Sequence, residues 1–208
     1  MRTEIIERTL YQFNELSDKA KEKARDWYRE GALDYEWYDS VYEDAGAIAK
    51  ILGITFAEKK NDRPAIQFSG FSSQGDGASF TGKYAYAKGA HKAIRAYASK
   101  DAELARIADE LLALQRAANY QLTATIYRHS SHYVHDMTMG FDVYKLGNSH
   151  TQDATQEQED ALKEALRGFA RWIYRQLEQE HDYLLSAECV DATIIANEYE
   201  FEADGTRA

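Results

Sequence analysis

Residues 121–127, Gln-Leu-Thr-Ala-Thr-Ile-Tyr, alternate polar and apolar side chains, and residues 137–143, Met-Thr-Met-Gly-Phe-Asp-Val, repeat that alternation. A period of two is typical of a strand with one buried face. When facing residue numbers sum to 263, Leu122 meets Phe141 and Thr125 meets Thr138, so that apolar pairs with apolar and polar with polar. This register predicts an antiparallel hairpin over residues 120–145.

The rest of the chain mixes helical and strand periodicity. Spacings of three and four between apolar residues predict helices, and Thr155 with Gln158 matches a capping box before the longest one. Ser186 is placed to cap the helix that follows. The predicted helices cover about 14–29, 36–52, 88–98, 101–118, 155–180 and 186–196, and the predicted strands cover 3–13, 54–56, 66–68, 80–86 and 197–202.

Helices and hairpin strands in this order, without regular βαβ units, predict an α+β fold. We expect a mostly antiparallel sheet of about five to six strands with helices packed on one face. At 208 residues and without a visible linker, the chain is predicted to form a single domain over residues 1–208, whose acidic helical part 153–204 packs on the sheet. The opposite face is expected to meet solvent or a partner, and its polar residues are Gln67, Ser69, Ser79, Thr81, Lys83, Gln121, Thr123, Thr125, Thr138 and Asp142.

Charge is concentrated towards the C-terminus. The formal net charge is −10, and residues 153–204 alone hold 14 Asp/Glu against 4 Lys/Arg. Such an asymmetry produces a directional negative field, which attracts cationic partners and repels nucleic-acid phosphates. The acidic surface predicted to bind a partner consists of Glu178, Glu180, Asp182, Glu188, Asp191, Glu198, Glu200 and Glu202.

Composition excludes several classes of protein. No run of about 18 apolar residues is present for a transmembrane helix, and residues 1–7 lack the apolar core of an export signal. Cys189 is the single cysteine, which excludes an internal disulfide and favours a reducing compartment. We therefore expect a cytoplasmic protein without a membrane partner.

The segment Gln74-Gly75-Asp76-Gly77 is a candidate for a ligand site, because alternating glycines can present backbone N–H groups to an anion. It lies between two predicted strands, with no following helix and no Lys, and so matches neither a P-loop nor a dinucleotide fingerprint. Asp-Gly is also an ordinary hairpin turn pair. A simple turn and a ligand-contacting loop therefore both stay open.

Three histidines, His129, His132 and His135, fall close together beside Asp136. Neutral imidazoles are common metal ligands, but the predicted register puts His129 and His135 on opposite faces of the hairpin. We expect an exposed polar turn with no metal and no cofactor. Since no recognisable catalytic motif occurs, we also expect no enzymatic activity. The alternative ligand site joins these histidines to the segment 74–77.

Three segments carry a resemblance to a known family: residues 11–28, residues 196–201, and Phe68-Ser-Gly-Phe-Ser-Ser-Gln-Gly-Asp-Gly-Ala-Ser-Phe80. They resemble small proteins encoded by phages, prophages and their hosts, which are often labelled antitoxins of toxin–antitoxin stability systems. The resemblance covers nearly the whole chain and carries over no catalytic residues. It implies a phage or mobile-element gene that interferes with a bacterial host system.

These observations lead to a functional expectation. We expect a non-catalytic binding protein that inhibits a host defence complex, as an anti-CRISPR does, by presenting its acidic surface to a basic nucleic-acid channel. The expected partner is a host protein of a nucleic-acid-handling complex, while direct nucleic-acid binding is disfavoured by a pI of about 5.1. The alternatives are an antitoxin that neutralises a basic toxin, and a small-ligand (nucleotide) sponge that uses the Gly-rich loop. Abundant tyrosine is compatible with a dimer.

Overall fold

The computed structural model describes residues 1–3, 7–57, 64–129, 133–146 and 151–208. They form helices and antiparallel sheets, which confirms the predicted α+β class. The elements are, in chain order, β1 (Tyr11–Gln12), α1 (Asp18–Gly31), α2 (Asp39–Leu52), β2 (Ile54–Phe56), β3 (Ile66–Phe68), β4 (Ala78–Phe80), β5 (Gly82–Ala85), α3 (Ala90–Tyr97), α4 (Ala102–Ala117), β6 (Leu122–Arg128), β7 (Met139–Leu146), β8 (Thr151–Asp153), α5 (Gln156–Leu185), α6 (Ala187–Ala196) and β9 (Glu200–Phe201).

The chain divides into two compact units. The terminal unit comprises Met1–Tyr38 and Gln179–Ala208, and the central unit comprises Asp39–Glu178. Most of α5 belongs to the central unit, and its residues from Gln179 onward belong to the terminal unit. The predicted acidic part 153–204 is therefore shared between the two units, and the single domain over 1–208 stays a prediction.

The terminal unit is built from both ends of the chain. β1 pairs antiparallel with β9, with Tyr11 opposite Phe201. Its core contains Phe13, Leu16, Ala20, Ala24, Val190, Ile194 and Phe201. The strand predicted over 3–13 is reduced to Tyr11–Gln12, with residues 4–6 outside the described ranges, because the partner strand β9 offers only two residues to pair with.

The central unit holds a five-stranded antiparallel sheet in the order β2-β5-β6-β7-β8 and a separate pair, β3-β4. On one face of the larger sheet Ile54, Tyr84 and Ala124 are buried, whereas on the other face Lys83 and Asp142 are exposed. Helices cover the buried face, as predicted. The strand predicted over 80–86 is split, because its first part pairs with β3 and its second part joins the larger sheet.

The hairpin formed by β6 and β7 exists, but the predicted register is wrong. Ala124 faces Val143, Ile126 faces Phe141 and Arg128 faces Met139, so facing residue numbers sum to 267 rather than 263. The reason is a 3-10 turn over Asp136–Thr138, which removes these residues from the strand. Since the slip of four residues is even, each side chain keeps its predicted face.

Part of the polar face that was predicted to meet solvent is buried. Ser79, Thr123 and Thr138 are only 1%, 6% and 8% exposed. A buried hydroxyl is tolerated where it finds a nearby acceptor. Thr123 donates to the carbonyl of Tyr84 at 2.5 Å, and Thr138 donates to the carbonyl of His135 at 2.7 Å.

Local capping signals placed the later helices correctly. The N–H of Thr155 donates to the Gln158 side chain at 3.2 Å, and the N–H of Gln158 donates back to the Thr155 hydroxyl at 3.3 Å. The Ser186 hydroxyl accepts the N–H of Cys189 at 3.2 Å, which starts α6. Within the described ranges, no helix combines the length and apolar composition needed to cross a membrane.

Candidate functional site

Net charge belongs almost entirely to the terminal unit. That unit contains 17 Asp/Glu and 8 Lys/Arg, a net charge of −9, whereas the central unit contains 18 and 17, a net charge of −1. The charge asymmetry of the sequence is therefore an asymmetry between two folded units.

Three ion pairs join the basic N-terminal residues of the terminal unit to its acidic C-terminal residues. Arg25 binds Asp191 with two hydrogen bonds of 2.6 Å, which are the best-shielded contacts of the three. Lys23 lies 2.6 Å from Asp204, and Arg8 lies 3.4 Å from Glu202. These contacts neutralise part of the predicted acidic surface inside the unit.

The Lys23–Asp204 contact also fixes the ionisation of the carboxylate. Hydrogen bonds from Lys23 and from Thr206 hold the pKa of Asp204 well below its ordinary value. Similarly, hydrogen bonding to Asp191 raises the pKa of Arg25 above its ordinary value. Both groups are therefore charged throughout the physiological pH range.

The members of the predicted acidic surface divide into two kinds. Asp191 and Glu202 are engaged in ion pairs, and Asp182 lies 3.2 Å from the ring nitrogen of His181. No ion pair with a described residue engages the others, which are Glu178 in the central unit and Glu180, Glu188, Glu198 and Glu200 in the terminal unit. Of these, the three fully exposed side chains, termed here the open carboxylates, are Glu188, Glu198 and Glu200.

A second row of acids on α1 was missed by the sequence interpretation. Asp18, Glu22, Asp26 and Glu30 follow one another at intervals of four residues and are all exposed. One helical turn separates neighbours, which spaces the side chains by about 6 Å along the axis. Glu22 and Asp26 pair with arginines of the same helix. The four-residue spacing itself was the signal that could have revealed this row.

Aromatic packing holds the acidic strand β9 rigid. Trp27 makes edge-on contacts with Tyr199 at 5.3 Å and with Phe201 at 5.8 Å. The Arg207 guanidinium lies 5.6 Å from the Trp27 ring and donates to the carbonyl of Glu200 at 2.7 Å. The residues around Glu200 therefore project from an ordered scaffold, which reduces the entropy lost on binding.

The Gly-rich loop is held together mainly by its own hydrogen bonds. The Asp76 carboxylate accepts the N–H groups of Ser72 and Ser73, which lowers the pKa of Asp76. Gln74 and Gly75 are exposed at its tip. These contacts are those of a closed turn, so the carboxylate already has its partners without a ligand.

The structure does bring this loop against the histidine turn. A Cβ at Gly77 would lie 2.6 Å from the Cβ of His135, and the Ser69 hydroxyl donates to the carbonyl of Val134 at 3.0 Å. From α5, Tyr174 donates to the carbonyl of Gly70 at 3.0 Å, while burial raises the pKa of Tyr174. The contacts tie three segments of the central unit together.

The register argument about the histidines is wrong, because His135 is not in a strand. Its Nδ1 accepts the N–H of Met137 at 3.1 Å and caps the 3-10 turn. His129 is exposed, with its ring 5.0 Å from that of Tyr127, and His132 lies outside the described residues. Among the side chains that the structure describes, no group of three His, Cys, Asp or Glu is arranged to hold a metal ion.

Comparisons with known proteins give one match. A family model with the description "Domain of unknown function (DUF8835)" matches residues 37–187. No curated protein and no solved structure matches the chain. The matching description names no origin and no activity, so the phage context and the antitoxin label stay predictions.

Proposed function

The chain belongs to the family described as "Domain of unknown function (DUF8835)", and for this member we propose a non-catalytic inhibitor of a host defence complex. In this proposal a phage or another mobile element supplies the protein, as with an anti-CRISPR. Its terminal unit binds the basic surface with which a host protein handles nucleic acid.

One observation carries this proposal: a separate folded unit with a net charge of −9 that leaves Glu188, Glu198 and Glu200 exposed and without ion-pair partners among the described residues. Surfaces that grip phosphates are lined with Lys and Arg and respond strongly to opposite charge. A single exposed ion pair contributes about 0–1 kcal/mol, so the affinity must come from many carboxylates acting together. Binding of this kind weakens as salt shortens the screening length.

A plaquing assay tests the function directly. The protein is expressed in bacteria whose CRISPR complex targets a test phage, and plaques are counted. We expect the native protein to restore plaquing, and the charge-reversed variant E188K/E198K/E200K to lose most of that effect.

The matched control is D142K/D153K/E157K, which makes the same charge change at exposed, unpaired carboxylates of the central unit, as judged among the described residues. It should still restore plaquing. Full inhibition by the variant reversed in the terminal unit would contradict the proposal.

A toxin neutraliser would use the same acidic unit against a different basic partner. The two functions separate on co-expression: a neutraliser restores growth to cells that express the toxin encoded beside its gene, whereas a defence inhibitor leaves that toxicity unchanged. E188K/E198K/E200K should impair whichever activity is present.

A further inference from the structure

The central unit contains a cationic region of its own. Residues 77–100 and 111–135 together hold seven Lys/Arg and no Asp or Glu. Two of these basic residues, Lys88 and Lys92, are exposed around the start of α3, and Arg116 is exposed in the last turn of α4. None of the three pairs with a carboxylate among the described residues.

The packing of α3 against α4 brings these cations together. Arg95 of α3 donates to Asp109 of α4 at 2.9 Å, and one turn earlier His91 lines the same small void as Leu112. The helices therefore run antiparallel, and the next turn back sets Lys88 opposite Arg116. The nearby Asp109 is neutralised by Arg95, so the local charge is positive.

A pair of aromatic rings lies between these cations. Tyr86 and Tyr120 have ring centroids 4.7 Å apart, and Tyr120 is 47% exposed. Tyr86 precedes Lys88 by two residues, and Tyr120 follows Arg116 by four. An exposed aromatic face beside lysines and arginines is the arrangement on which unpaired bases stack while their phosphates are neutralised.

The exposed ring is held in place by an unfavourable backbone. Asn119 and Tyr120 have φ values of +54° and +61°, which are uncommon for residues other than glycine. The N–H of Tyr120 donates to the Gln115 carbonyl at 2.6 Å, and the buried Gln115 side chain binds both backbone groups of Leu122. Strain of this kind persists only where neighbouring contacts enforce it, and it is concentrated at functional sites.

From this juxtaposition we propose that Tyr86, Tyr120, Lys88, Lys92 and Arg116 form a binding surface for single-stranded nucleic acid. The expectation that the chain does not bind nucleic acid rested on its total charge, but the central unit carries only −1 of it. The surface reads no sequence, since every base has a face to stack and every nucleotide a phosphate.

Fluorescence anisotropy of the full chain with fluorescein-labelled oligo-dT and oligo-U of about 20 nucleotides tests this surface. With three cations on phosphates, the logarithm of the binding constant should fall with the logarithm of salt concentration with a slope of about −2. Duplex DNA of equal length and a mononucleotide should both bind more weakly.

Two variants separate the contributions. Y120G removes the stacking ring, and because glycine adopts positive φ readily, its thermal midpoint should not fall below that of the native chain. We expect binding to weaken at least tenfold. K88Q/R116Q should lower the salt slope by about 1.4, since two phosphate contacts are lost.

The matched control is K83Q, a lysine of the same acid-free segment that points from the opposite face of the sheet. It should leave binding and the salt slope unchanged. The proposal is overturned if labelled single strands do not bind in 50 mM salt, roughly the low end of the usual range. It is equally overturned if Y120G and K88Q/R116Q bind like the native chain, or if a mononucleotide binds as tightly as the oligonucleotide.

Discussion

Arg25 is the side chain that ties α1 to α6 in the terminal unit. Its guanidinium lies 5.6 Å from the ring centre of Phe13 and donates two hydrogen bonds to Asp191. With the Arg25 side chain 16% exposed and that of Asp191 28% exposed, the pair is partly shielded from water and stronger than a surface pair. The partners are 166 residues apart in sequence, so no local pattern announced the contact.

Replacing Arg25 should therefore destabilise the terminal unit. We expect R25M to lower the free energy of unfolding by about 2 kcal/mol, because the half-buried Asp191 carboxylate loses two charged hydrogen bonds. Urea denaturation followed by tryptophan fluorescence measures the change. R8M is the control: its pair with Glu202 is largely exposed, and its loss should cost less than about 0.5 kcal/mol. Equal losses in the two variants would contradict the distinction.

Tyr84 is expected to make stability depend on pH in the alkaline range. Burial raises the pKa of Tyr84 to about 12, above its ordinary value near 10, so the unfolded chain loses this proton at lower pH than the folded chain. The contribution is complete below pH ~10 and is lost as the pH rises to ~12, up to about 2–3 kcal/mol.

Urea denaturation of the native chain and Y84F at several alkaline pH values measures this effect. The native chain should lose about 2 kcal/mol more than Y84F between pH ~9 and pH ~12. Parallel pH profiles for the two proteins would show that Tyr84 is not the group responsible.

Elements whose signals are local were predictable, and elements whose geometry depends on distant partners were not. Thr155 with Gln158 and Ser186 mark helix starts within four residues, and both caps are present. The hairpin register was wrong because a 3-10 turn after His135 replaces the start of the strand. Side-chain alternation alone cannot detect such a slip, since any even shift preserves it.

The contact between the Gly-rich loop and the histidine turn predicts which of two glycines tolerates a side chain. G77A places a methyl group 2.6 Å from the Cβ of His135, so either the β3–β4 turn or the 3-10 turn must move. We expect a loss of about 1–3 kcal/mol. G75A should be nearly neutral, because a Cβ there meets nothing within 4 Å.

Thermal unfolding of G77A and G75A compares the two positions. A clear loss in G77A alone supports the close packing of the two segments. An equal effect of both substitutions would mean that the loop does not pack against His135 in solution.

For the molecule as a whole, the sequence predicted the sign and the position of the charge but not its organisation. Most of the predicted acidic residues lie in one folded unit, yet Asp191 and Glu202 are paired with arginines from the other end of the chain. The ridge on α1 adds acids from a segment that looked nearly neutral in one dimension. Which carboxylates are available to a partner is thus a property of the fold.

Affinity capture with an N-terminal tag tests the central claim, that the terminal unit binds a basic partner. The tag belongs there because Arg207 and Ala208 both bond to the carbonyl of Glu200 or its neighbours. Captured proteins are compared by quantitative mass spectrometry between the native chain, E188K/E198K/E200K and the control D142K/D153K/E157K, at low and high salt.

The proposed function predicts one stoichiometric nucleic-acid-handling partner that the native chain and the control retain at low salt. The same partner should be lost by E188K/E198K/E200K and released at high salt. Retention of the partner by E188K/E198K/E200K, or its loss by the control alone, would contradict the claim that the terminal unit is the binding surface.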